Sequence, residues 1–281
     1  MPPVSSLAAL RRPLALIVVP ALALGAMVAC DKEAVHVGFR PPTGAIYRYE
    51  ITVHSVTTTV LGDQPSDRAV DDVTLQSTET VQSSGADGVH VQVLLHRAGS
   101  PDRTFQVRFD RGAQLSGVDA VDGLPPEILG PVGFPEFLPA AVTAPPDRPL
   151  STGDKWKIDA QPALGGGAPV RLEGTGQLVK VAGSGGQKVA SIKAETRLPL
   201  SSTSELGDAT ATLEGTEVTE STAGRSVSDG SVQSASSVTT GTFRVVVSPK
   251  AGADAVPVTG TMSVEIHSDT RRLPDPVTKK G

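Results

Sequence analysis

A single cysteine, Cys30, in 281 residues leaves no pair for a disulfide within the chain. Stability must therefore come from core packing and strand pairing. Aromatic residues are almost as scarce, at 3%, and the chain is instead rich in Val, Thr, Ser, Gly and Ala. It also lacks a positive charge excess: the formal charge is −5, which argues against a nucleic-acid partner and against a polybasic hold on anionic lipid. Sequence patterns that carry chemistry are missing too. No Gly-x-Ser-x-Gly, Ser-x-x-Lys, His-Glu-x-x-His or Gly-x-x-x-x-Gly-Lys sequence occurs, so hydrolase elbows, zincin helices and phosphate-binding loops have no candidate. The long uncharged run Leu14–Ala29 contains Pro20 and Gly25. It is short for a membrane-spanning helix, which needs about 20 apolar residues.

That run is read better as a targeting segment. Arg11 and Arg12 precede it, and Met27-Val28-Ala29-Cys30 closes it, followed abruptly by Asp31-Lys32-Glu33. The closing residues resemble the lipobox of bacterial lipoproteins, with Met27 where Leu is commonest. The resemblance implies cleavage before Cys30, lipidation of Cys30, and an extracytoplasmic protein anchored to a bacterial membrane, inner or outer, by its lipid. Removing residues 1–29 takes the formal charge from −5 to −7. A diacyl group then supplies the anchoring, because two chains hold a protein stably where one gives only marginal attachment.

After Cys30 the dominant signal is alternation. Tyr47 to His54, Val89 to Val93, Phe105 to Asp110 and Met262 to His267 all place apolar and polar residues in turn. A period of two over five to eight residues means strands with one buried and one wet face. The fold class expected is all-β and mainly antiparallel: a curved sheet, half-barrel or sandwich. Residues 30–42 read as a lipidated tether, 43–272 as the exported domain, and 273–281 as a disordered tail.

The domain is interrupted by an apolar connector, 123–149. Within it, Leu124 to Val142 is cut by five prolines, which prevent a long helix or central strand and leave room for one or two short helices. Ile128, Leu129, Phe134, Phe137 and Leu138 there need burial, and form a candidate lid over an apolar ligand. The flanking stretches, 43–122 and 150–272, look like related halves. Thr43-Gly44 before Tyr47 parallels Thr152-Gly153 before Trp156, Val73–Thr78 parallels Val170–Thr175, and Thr104–Val107 parallels Thr242–Val245.

Catalytic and metal-binding groups do not gather in the sequence. His36, His54, His90, His96 and His267 are scattered, and His54, His90 and His267 fall on the polar phase of their strands. His90 and His96 are about 20 Å apart along a strand, too far for one metal ion. Asp71-Asp72 and Asp119 to Asp122 lack the spacing of a calcium loop and read as solvated turns. Trp156 reads as the cover on one end of the core. No catalytic residue, metal or cofactor is expected.

Phe39 to Gly44, Tyr47-Arg48-Tyr49 and Gly153 to Trp156 together resemble uncharacterised bacterial envelope lipoproteins with a β-rich half-barrel body. A more distant resemblance is to lipoprotein-carrier and mycobacterial lipid-carrier half-barrels, whose helices are longer than the broken 124–142 segment permits. These resemblances imply a non-enzymatic envelope lipoprotein whose β-domain is structural or binds an envelope protein. The alternative is a carrier for a lipid or other apolar ligand held under 124–142.

Overall fold

The computed structural model describes residues 34–121, 141, 143–161, 163–164, 171–249 and 256–274. Cys30 and the five candidate lid residues Ile128, Leu129, Phe134, Phe137 and Leu138 lie outside the described residues.

Alternation does produce strands. The first five are β1 (Ile46–Leu61), β2 (Asp67–Gly85), β3 (Gly88–Arg97), β4 (Arg103–Phe109) and β5 (Leu115–Val121). After the connector come β6 (Lys155–Ala160), β7 (Ala163–Leu164), β8 (Leu172–Ala182), β9 (Val189–Leu206), β10 (Ala209–Ser226), β11 (Val232–Pro249) and β12 (Val258–Arg272). A 3-10 turn at Gly185–Gln187 separates β8 from β9. All twelve belong to one sheet, in the order β6-β8-β9-β10-β11-β12-β1-β2-β3-β4-β5-β7, so the sandwich alternative is excluded.

Two meanders, β1–β5 and β6 with β8–β12, are joined by the antiparallel pairing of β12 with β1, from Tyr49↔Arg272 to Leu61↔Gly260. The eleven antiparallel strands curl into a nearly closed barrel with one unsealed seam. That seam is where β5 and β6 end the two meanders. The chain leaving β6 crosses it, and β7 pairs in parallel with β5 through Gly117↔Ala163 and Val118↔Leu164.

The strands that carry the first and third of the similar stretches can be compared directly. Gly44 and Gly153 both take positive φ, 84° and 97°, at turns that launch β1 and β6. The inward residues Tyr47 and Trp156 follow at the same distance, and both strands pair with the next long one. The third match sets Phe105 of β4, fourth in its meander, against Phe243 of β11, fifth among the long strands of the other, so it joins strands that are not equivalent.

The inner face is mostly apolar. Tyr47, Tyr49 and Ile51 of β1, Val91 and Val93 of β3, and Phe105 and Phe109 of β4 are buried there together with Ala223 and Ala235 from β10 and β11. A second cluster gathers Trp156, Ile158, Leu178 and Ile192, and a third Leu198, Leu200, Phe243, Val264 and Ile266. Full burial of each large aliphatic side chain contributes about 1.5–3 kcal/mol relative to exposure.

Residues 35–41 correct the expected tether. Val35, Val37 and Phe39 are 5%, 0% and 1% exposed; the first two belong to the cluster around Trp156 and the third to the cluster around Tyr49. Backbone bonds fix the segment. Val35 and Leu150 exchange both N–H···O bonds at 2.8 Å, Phe39 N–H donates to the Arg111 carbonyl, and Arg40 N–H to the Asp229 carbonyl. Phe39 also meets Phe109 edge-on, at 5.7 Å between ring centroids. This stretch is core, packed against the inner faces of both meanders, because its alternating apolar residues have a sheet face to enter.

Glycines let two aromatics lie flat on the sheet. A Cβ on Gly176 would sit 2.2 Å from the Trp156 indole, and one on Gly215 or Gly241 would come within 2.7 Å of the Phe243 ring. Trp156 Nε1 donates to the Ala144 carbonyl at 3.0 Å, which gives its one polar atom a partner. Pro199 sits inside β9, yet the described pairing of β9 with β8 ends at Arg197, so proline's missing donor falls where β9 is an edge.

Candidate functional site

Side chains pointing away from the core alternate with the buried ones, and strand register lines them up in rows. One row runs Asp72, His54, His267, Val238, Glu220, Glu195, Thr175, Lys157 from β2 across to β6. The next runs Thr52, Asp269, Ser236, Thr222, Lys193, Gln177, Lys155. The first row from His267 to Thr175 and the second from Asp269 to Lys155 floor a groove of about 690 Å3 on the polar face. A second depression of about 480 Å3 adds Glu50, Ser191, Ser234 and Arg271, and shares Thr222, Ser236 and Asp269 with the first. The two are continuous over seven of the barrel's strands, β6, β8 to β12 and β1.

The groove mixes signs. Lys155 and Lys193 face Glu195, Glu220 and Asp269 within the larger part; in the smaller, Arg271 is bonded to Glu50 at 2.9 Å. Serine and threonine hydroxyls fill the space between the charges, and among the described residues no Trp, Tyr or Phe lines either part. Such a surface offers hydrogen bonds and paired charges to an extended polar chain, and no apolar slot to a lipid tail.

The barrel interior holds a different polar group. Glu79, Tyr49 and Arg225 are all fully buried, and Glu79 stands cross-strand from Tyr47. Burial pushes the Glu79 carboxyl up to about 8, against an opposing pull from Arg225; neither of its oxygens has a hydrogen-bond partner. Burial likewise lowers Arg225 to about 10, and its guanidinium donates to the Gly230 carbonyl at 3.0 Å and to Thr143 Oγ1 at 3.4 Å. Tyr47 Oη donates to Asp229 Oδ2 at 2.9 Å, and Arg272 stacks 4.8 Å above the Tyr47 ring. Burial raises Asp229, but hydrogen bonds from Ser231, Tyr47 and Ser226 outweigh it and hold the carboxyl below its ordinary range. With Tyr47 donating to Asp229, this assembly ties β1 to the β10–β11 turn.

The structure places His54, His90 and His267 on exposed strand surface, as their polar phase predicts. Asp71 and Asp72 lie within the first third of β2, not in a turn: Asp72 bonds His54, and Asp71 lies 3.9 Å from Arg97. Among the described residues no group of three or more His, Cys, Asp or Glu side chains is placed to hold a metal. The described residues also contain no helix long and apolar enough to cross a membrane. Sequence reading missed the groove and the buried Glu79–Arg225 group. Alternation marks the polar face, but only the register brings β2, β9, β10 and β12 into one row.

No family model matches the chain, and no curated protein matches it. Among solved structures it is similar to OccK2 (OpdF) of Pseudomonas aeruginosa in complex with glucuronate, at 9% identity over 86% of this chain and 100% of that one, with a TM-score of 0.24. It is also similar to the trimer form of in-vitro folded OmpT, an outer membrane protein of Vibrio cholerae, at 9% identity over 83% of this chain and 100% of that one, with a TM-score of 0.22. Likenesses at this level carry no information on activity or location.

Proposed function

We propose that the chain is an extracytoplasmic lipoprotein, anchored through Cys30, whose β-barrel is a non-enzymatic binding module for an extended polar segment of an envelope protein. The observation that carries the binding reading is the continuous groove floored by Lys193, Glu195, Glu220, Thr222, Ser236 and Asp269. Its mixed charges suit a polypeptide, which brings both signs and backbone hydrogen-bonding groups, better than a nucleic acid or a lipid tail. The non-enzymatic reading has its own support: among the described residues no histidine is hydrogen-bonded to a serine or threonine hydroxyl, each contact being to a carboxylate or to Arg40. The anchoring reading is supported by the Arg11-Arg12, Leu14–Ala29 and Cys30 arrangement.

A photo-crosslinking residue at Val238 in the groove, compared with one at Leu94 on β3, tests the binding reading. Both positions are 39% exposed, so a defined envelope protein caught from Val238 and not from Leu94 supports the groove. Equal capture from both positions refutes it. In the same cells, Cys30→Ala is expected to release the chain from the membrane fraction.

The carrier alternative keeps one observation in its favour. At the hairpin tips the inner face exposes Leu206 and Val258, at 55% and 43%, beside half-buried Leu213, Val245 and Val247. Extraction of the purified chain with organic solvent, followed by mass spectrometry, decides between the readings. A stoichiometric lipid beyond the one on Cys30 favours the carrier, and an empty folded chain favours the groove.

A further inference from the structure

His54 of β1 and His267 of β12 are separated by 213 residues in sequence and stand directly opposite one another in the antiparallel register. Their ring centroids are 6.4 Å apart. Each ring is tied to a carboxylate through one nitrogen only: His54 Nδ1 to Asp72 Oδ1 at 2.7 Å, and His267 Nε2 to Glu265 Oε1 at 2.7 Å. A carboxylate accepts a proton-bearing nitrogen, so in the neutral rings the lone pairs are left on His54 Nε2 and His267 Nδ1. From this cross-strand pair we propose that His54 and His267 form a site for one divalent transition-metal ion of the zinc, copper and nickel class, with Asp72 and Glu265 orienting the rings.

The chemistry favours that class. Imidazole nitrogen suits zinc, copper and nickel, whereas calcium and magnesium demand oxygen ligands. A carboxylate on the far ring nitrogen is the usual outer partner of a metal-bound histidine, because it fixes the tautomer and raises the basicity of the ligating nitrogen. Distance permits it as well. With metal–nitrogen bonds of about 2.0–2.1 Å, the ring centroids of a tetrahedral pair stand about 5 Å apart. The two rings are about half exposed, at 47% and 46%, and close that gap by side-chain rotation. Two protein nitrogens leave the remaining positions to solvent. His267 also lines the groove, so those open positions sit at its edge. The site does not depend on what the groove binds.

His96 supplies an internal control, since it makes the same kind of contact, with Asp102 at 2.6 Å, and no second histidine faces it. The test titrates the full chain carrying Cys30→Ala, which removes the competing thiol, with Zn2+ by calorimetry and with Cu2+ by electron paramagnetic resonance. One ion per chain is expected, with splitting from two nitrogens in the copper spectrum. His54→Asn and His267→Asn should each weaken binding by about tenfold or more, Asp72→Asn and Glu265→Gln by about tenfold, and His96→Asn not at all. The proposal is overturned by no uptake, by a copper spectrum from a single nitrogen, or by affinity that survives His54→Asn or His267→Asn. The copper spectrum of the chain with both histidines intact needs no folded histidine variant, so it decides the question even if one misfolds.

Discussion

Replacing Glu79 with Gln should flatten the pH dependence of this protein's stability. The carboxyl is enclosed between Tyr47, Tyr49 and the inner face of β3, and burial raises it from an ordinary value of 4.5 to about 8. The sign follows from proton uptake: between these values the folded chain keeps the proton that the unfolded chain has lost. The contribution of Glu79 to stability is therefore greatest below pH 4.5, falls as pH rises to about 8, and is level beyond it. Each pH unit in that window costs about 1.4 kcal/mol, so the group accounts for about 3 kcal/mol between pH 5 and 7, and close to 5 kcal/mol across the whole window. Attraction to Arg225 is already included and does not reverse the sign. Glutamine keeps the shape and cannot ionise. Urea unfolding of both chains at pH 5, 6, 7 and 8 measures the effect. Near-equal midpoints at pH 5 are expected, with a gap that widens in favour of Glu79→Gln toward pH 8. Parallel curves for the two chains would refute the reasoning, since other titrating groups are common to both.

Further substitutions probe the packing. Phe39→Ala should destabilise the chain by about 3–5 kcal/mol in urea unfolding, as expected for an aromatic in the core and not for one in a tether; a loss below about 1 kcal/mol would return 35–41 to the tether. Gly176→Ala places a methyl 2.2 Å from the Trp156 indole and should cost about 1–3 kcal/mol, with a shift in Trp156 fluorescence. Strand ends should open before strand middles. Amides of Asp67–Val73 and Ser201–Leu206, where side chains are mostly exposed, should exchange hydrogen faster than those of Leu75–Val81 and Ala190–Leu200.

Much of the fold is legible in the residues because a strand's faces are set by a period of two. Tyr47, Tyr49, Ile51 and Val53 turn inward and Arg48, Glu50, Thr52 and His54 outward, as the alternation requires, and the all-β class follows from repeating that pattern. Alternation alone does not assign residues 35–41 to the domain. Val35, Val37 and Phe39 alternate in the same way, but too few residues separate them from the end of the apolar run Leu14–Ala29 to mark them as part of the domain. Nor does alternation reveal that β12 returns to β1, which alone makes one sheet of two meanders.

Glu79 was hidden for a different reason. It lies in phase with Leu75 and Val81, so the alternation points it inward, against its charge. In a Thr-rich strand such as Leu75-Gln76-Ser77-Thr78-Glu79-Thr80-Val81, polar residues occupy both phases and the inward one does not stand out. The same argument explains the histidines. Phase put His54 and His267 on the wet face, where a lone histidine is simply solvated. Register decides whether they meet, and it is a relation between strands. A slip of two residues between β1 and β12 would keep every face unchanged and set Glu265 or Asp269 opposite His54 instead of His267. What fixes the register is the apolar face behind it, where Ile51 stands against Thr270, Ser55 against Ile266 and Thr57 against Val264. The polar rows that floor the groove and the histidine pair are therefore set by packing on the opposite side of the sheet, and a core substitution that shifted β12 would disassemble both without touching either.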